Sequence, residues 1–140
     1  MWRDLILAID PEAVCHPPAS SDQLAQLQGI MGVSLPTELA DLLREMNGVE
    51  VVYGLGLIWS TEDIAQRNIE LRRNWQPNGM MRGYMSVDHL LFFGDRGNGD
   101  LYGFPITPEG VRNDVFLWNH EDDSWMDQAV SLRGWLSRGP

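Results

Sequence analysis

The residues best suited to chemistry fall in two acidic clusters, Asp95-Arg96-Gly97-Asn98-Gly99-Asp100 and His120-Glu121-Asp122-Asp123. The first invites comparison with a calcium loop of the EF-hand type. Such a loop wants oxygen ligands at its first, third and fifth positions, a glycine at the sixth and a bidentate glutamate at the twelfth. Here Gly97 and Gly99 hold the third and fifth positions, and Ile106 stands where the glutamate belongs. A hairpin turn is the simpler reading, because Asn98-Gly99 supplies two neighbours that accept the positive φ of a type I′ turn. His120-Glu121 opens a zinc-protease pattern, but Ser124 occupies the place of its second histidine. A looser trio of His89, His120 and Glu121 lacks ligand spacing. No metal and no cofactor is expected.

Nucleophilic chemistry finds equally little. The single Cys15 carries no protease signature around it, and no Gly-x-Ser-x-Gly elbow occurs. All ten basic residues are Arg, so every mechanism needing a lysine is excluded, including Schiff bases and a Walker-type phosphate loop. No catalytic residues are assigned, and the chain is expected not to be an enzyme.

Charge points to binding instead. The formal net charge is −10, and between Asp88 and Asp127 nine acids face two Arg. Nucleic acid would be repelled by such a chain, whereas basic proteins would be drawn to it. No apolar run approaches the ~20 residues of a membrane span, so no membrane partner is expected. The start, Met1-Trp2-Arg3-Asp4, lacks the basic region of a signal peptide, and one cysteine suits a reducing compartment, so a cytoplasmic location is expected.

The elements that must carry these clusters follow from periodicity. Its 140 residues suit a single domain over 1–140. Trp2, Leu5, Ile6 and Ile9 form a helical stripe that Pro11 stops, and 13–19 is a Pro-containing linker. Ser20 with Gln23 predicts a capping box opening a helix that Gly32 ends. Pro36 opens the next helix, with Leu39, Leu42, Leu43 and Met46 inward, Glu38, Asp41 and Glu45 on the solvated side, and Asn47-Gly48 as a left-handed stop. Residues 50–59 suggest an edge strand with an irregular continuation. Ser60 to Asp63 starts a helix reaching Trp75, with Ile64, Leu71 and Trp75 inward and Arg67, Arg72 and Arg73 more exposed.

Strands are expected over 89–94, 100–106 and 115–118, and Trp125 begins a short extended piece. A closing helix is expected over 126–136. Helices, then strands, then a helix give an α+β fold: an antiparallel meander sheet with helices packed on one face and the other face open to solvent or a partner.

Three segments together resemble the SUKH superfamily, which includes bacterial immunity proteins and fungal Smi/Knr cell-wall regulators. Leu35-Pro36 through Asn47-Gly48 is similar to its Leu-Pro, amphipathic helix, Asn-Gly segment. Phe93 to Tyr102 is similar to its Gly-Asp … Gly-Asp-x-Tyr hairpin. Val115 to Asp122, followed by Ala129 to Leu132 and Trp135-Leu136, resembles its strand ending Trp-x-His-Glu with a loop and closing helix. The resemblance spans about residues 20–136, with Leu39 where the family commonly has an aromatic.

The resemblance implies an α+β fold, no catalysis, and a role as antidote to a cognate toxin protein, often a nuclease. A basic toxin cleft would then meet Asp95, Asp100, Glu121, Asp122 and Asp123. Trp118 and Trp125 are candidate anchors, with core packing the weightier reading for Trp118. The fungal members suggest the alternative of a cellular scaffold or regulator.

Overall fold

The structure, a computed structural model, describes residues 2–51, 55–74, 90–95, 100–119 and 124–138. Along the chain run α1 (Trp2–Ile9), β1 (Val14–Cys15), α2 (Ser21–Met31), α3 (Thr37–Glu45), β2 (Val49–Val51), β3 (Leu55–Ile58) and α4 (Thr61–Asn74). β4 (Leu90–Asp95), β5 (Leu101–Thr107), β6 (Gly110–Val111), β7 (Val115–Asn119), β8 (Ser124–Ala129) and α5 (Leu132–Arg138) follow. The arrangement is α+β with antiparallel sheets and a closing helix.

The strands form two sheets rather than one. β1-β2-β3 make a small sheet, and β4-β5-β7-β8 make the expected meander, with β6 paired to β5. Val14–Cys15, expected within a linker, pairs with Glu50 and Val49. The stretch expected as an edge strand is instead a pair, β2 lying between β1 and β3. The sheets meet where the Trp59 N–H donates to the Phe93 carbonyl at 2.7 Å.

A second correction concerns the C-terminal region. Residues 124–129, largely assigned to the closing helix, are strand β8, paired with β7 from Val115↔Ala129 to Asn119↔Ser124. The helix itself begins only at Leu132.

α5 sets Trp135 edge-on to Phe93 at 5.3 Å and against Tyr102 at 4.6 Å, while Phe93 stacks on Phe104 at 4.5 Å. The opposite side of the meander carries Phe92, Leu101 and Trp118, and these are buried too. Where they lie, that face is closed to solvent.

Gly103 makes the close packing there workable, since a Cβ would sit 3.2 Å from the Phe92 ring and 3.1 Å from the Leu91 carbonyl oxygen.

α3 is the centre of the helical part. Leu39, Leu42, Leu43 and Met46 are fully buried, as their spacing predicts. Its acids, expected on the solvated side, divide into two kinds. Asp41 pairs with Arg44 on the surface at 3.2 Å. Glu45 accepts hydrogen bonds from the Trp2 and Arg3 N–H groups at 3.2 and 3.1 Å, completing the start of α1. Glu38 accepts from the Leu132 and Arg133 N–H groups at 3.1 and 3.4 Å, completing the start of α5. Helix starts carry unsatisfied N–H groups and partial positive charge, so a carboxylate suits both ends.

Asn47 does the same for α4, its side-chain oxygen accepting from the Thr61 N–H at 2.8 Å. Gly48 has φ +105°, and a Cβ there would lie 3.1 Å from the Ser60 nitrogen. The Asn-Gly pair is therefore less a helix stop than a close junction between α3 and α4. α3 itself ends one step earlier, with Met46 extended.

The capping box at α2 is present in both directions, Ser20 and Gln23 exchanging bonds of 2.8 and 3.1 Å, and Gly32 closes the helix at φ 71°.

Candidate functional site

The end of β4 and the middle of α4 meet at the seam between the sheets. Trp59, just after β3, is buried, and its indole N–H donates to the Asp95 carboxylate at 2.7 Å. The Arg67 guanidinium lies 4.6 Å from the centre of the Trp59 ring and 3.7 Å from Asp95. One residue from each of three segments thus forms a unit in which a cation rests on an aromatic face beside its counter-ion. The Asp95 side chain keeps only 14% of its surface exposed. It positions Trp59 and Arg67 rather than presenting a bare charge to a partner.

Beside this unit a groove of about 460 Å³ opens among the end of β1, the α3–β2 junction, β3 and α4. Its charged lining is Glu50, Asp63 and Arg67, with the His16 imidazole beside them. The His16 imidazole sits 3.7 Å from the Glu50 carboxylate, and both side chains are more than two-fifths exposed. Asp63 is exposed as well. A second groove, of about 520 Å³, lies between α2 and α4. Both are open to solvent along one side.

Of the sequence candidates, Asp100 and Trp118 lie near Asp95, Leu101 pairing with both Asp95 and Trp118, and both are buried. Asp100 is 7% exposed and turned into the protein, so it belongs to the fold rather than to an acidic surface. Trp118 is 2% exposed and its ring centre lies 6.1 Å from that of Phe92. It is core, and it offers no indole to a partner. Glu121, Asp122 and Asp123 lie outside the described residues, as do His89, His120 and the side chain of Trp125. Among the described residues no group of three His, Cys, Asp or Glu is placed to hold a metal ion. No helix among them is long and apolar enough to cross a membrane.

Sequence reasoning missed Trp59, Arg67, His16, Glu50 and Asp63 as neighbours. In the sequence Asp63 reads only as part of a helix start and Arg67 only as one of three more exposed cations. Nothing local signals that Asp95 reaches an indole 36 residues earlier in the chain.

Fold and surface together describe a small acidic α+β domain with open grooves and a structurally committed hairpin acid. Residues 18–138 match the SMI1 / KNR4 family (SUKH-1), and the chain belongs to that family. No curated protein matches it.

Proposed function

We propose that this chain is an immunity protein, binding and neutralising a cognate toxin domain in the cytoplasm without chemistry of its own. Membership of the SMI1 / KNR4 family over residues 18–138 carries this reading. The net charge of −10 supports a basic partner, and a nuclease, whose cleft must attract phosphates, is the type that fits. Complementary charge would raise the association rate and suppress wrong partners.

Asp95 and Asp100 are engaged in the fold, so the contacts pass to carboxylates that meet water. Glu50 and Asp63 flank the seam groove, and Glu121, Asp122 and Asp123, between β7 and β8, are the remaining candidates. Asp95 serves indirectly, holding Arg67 and Trp59 in place at the groove wall.

The test is co-expression with the polypeptide encoded beside this chain. The neighbour should arrest growth when expressed alone, and this chain should restore it. A neighbour that is harmless, or that this chain fails to neutralise, removes the immunity reading. Rescue that persists after Glu50, Asp63, Glu121, Asp122 and Asp123 are all replaced by their amides removes the acidic interface and leaves immunity standing.

A further inference from the structure

Resting on that reading of function, we infer that the groove between α2 and α4 receives a helix of the basic partner, seated by an apolar side chain and flanked by Arg or Lys. Five large hydrophobic side chains are exposed among the described residues, and two of them, Ile30 at 49% and Ile69 at 40%, line this single depression. Its volume is about 520 Å³, and the nearly buried Leu27 and Ala65 also line it. Isolated exposed aliphatics are ordinary on a surface; a facing pair over an apolar floor is what an inserted side chain requires.

Amides and carboxylates surround the pair. Gln23, Gln26 and Gln66 supply neutral donors and acceptors, and Glu62 and Glu70 outnumber Arg73 among the charged lining residues. Glu70 is steadied by the Gln66 amide, which donates to it at 3.1 Å. The channel between two packed helices has the form used in helix-in-groove recognition, where an amphipathic helix lays its apolar stripe along the floor. Carboxylates beside that floor select basic flanks on the incoming helix.

A second copy of this chain is the poorer occupant, because each copy carries a net charge of −10. Nucleic acid is repelled for the same reason. The basic partner proposed above is the one whose charge fits.

The full-length chain, titrated calorimetrically with a catalytically silenced form of the neighbouring toxin domain, tests this. Ile30→Gln with Ile69→Gln alters only exposed positions and preserves helix-forming residues, and should weaken binding roughly tenfold or more. Glu62→Gln with Glu70→Gln should slow association and flatten its salt dependence. Hydrogen exchange on the wild-type complex gives an arm free of mutational damage, with protection expected at residues 23–30 and 62–73.

An affinity within twofold of wild type for the isoleucine double variant, or protection confined to other segments, overturns the inference while the immunity role stands. Absence of any binding by the wild-type chain overturns both.

Discussion

Asn68 sits on α4 at 1% exposure, and its side chain does the work of a missing neighbouring strand. Its oxygen accepts from the Phe92 N–H at 2.9 Å, while its nitrogen donates to the Phe92 carbonyl at 2.8 Å and to the Ile64 carbonyl at 2.6 Å. β4 is the outer strand of the meander, and this amide occupies the outward-facing main-chain groups of Phe92, while the Leu90 and Phe93 carbonyls accept from Arg72 and from the Trp59 N–H. Asn68→Ala removes both Phe92 bonds from a place water does not reach. A buried group that loses its partner costs about 1–3 kcal/mol, so the pair should cost roughly 2–6 kcal/mol. Urea unfolding at neutral pH, followed by circular dichroism, measures this as a lower midpoint at unchanged slope.

Asn68→Asp sharpens the test. It keeps the acceptor for the Phe92 N–H but turns a buried carboxylate oxygen toward two carbonyls, a setting that raises the folded pKa of the new acid. A raised folded pKa means the folded state binds the extra proton more tightly, so the variant should regain stability relative to Asn68→Ala as pH falls. A loss below about 1 kcal/mol for Asn68→Ala would refute the claim that this side chain closes the strand edge.

Other consequences follow from the same contacts. Burial acts to raise the pKa of Glu45, but hydrogen bonds from the Arg3 N–H, the chain's amino group and the Trp2 N–H, with the charge of that amino group, together hold the carboxyl below its usual value of 4.5. That stability is present above the unfolded pKa and disappears as pH falls through the folded one, so Glu45→Gln should flatten the loss of stability as pH falls below the usual carboxylate value of 4.5. Glu38→Ala should cost about 0.5–2 kcal/mol by opening the start of α5, measured by urea unfolding. Gly48→Ala should cost about 1–3 kcal/mol, because the left-handed backbone and the nearby Ser60 main chain both resist a side chain. Thermal unfolding with a midpoint equal to wild type would contradict that reading.

What the sequence discloses is what neighbours in the chain can signal. The Ser20–Gln23 box, the Gly32 stop and the aliphatic stripe of α3 involve residues within a few positions of one another, and all three stand in the structure. Glu38 and Glu45 look solvated because the N–H groups they accept lie 94 and 43 residues away, beyond any local pattern. Val14–Cys15 is too short to show strand alternation.

β8 contains Met126, Gln128 and Ala129, good helix formers, and only its pairing with β7 makes it a strand. At the seam, Asp95 was legible as an acid beside a turn, whereas its indole and guanidinium partners required the folded chain.

The nine residues of α3 and the junction after it finish the first turns of α1, α4 and α5, three helices drawn from the beginning, middle and end of the chain. None of those three helices has a complete start until this one segment is in place. Their opening amides should therefore exchange with solvent through a shared event, at one common free energy, and not by separate fraying. A lesion in α3 would then loosen both extremities of the polypeptide together, and the domain would come apart as one unit.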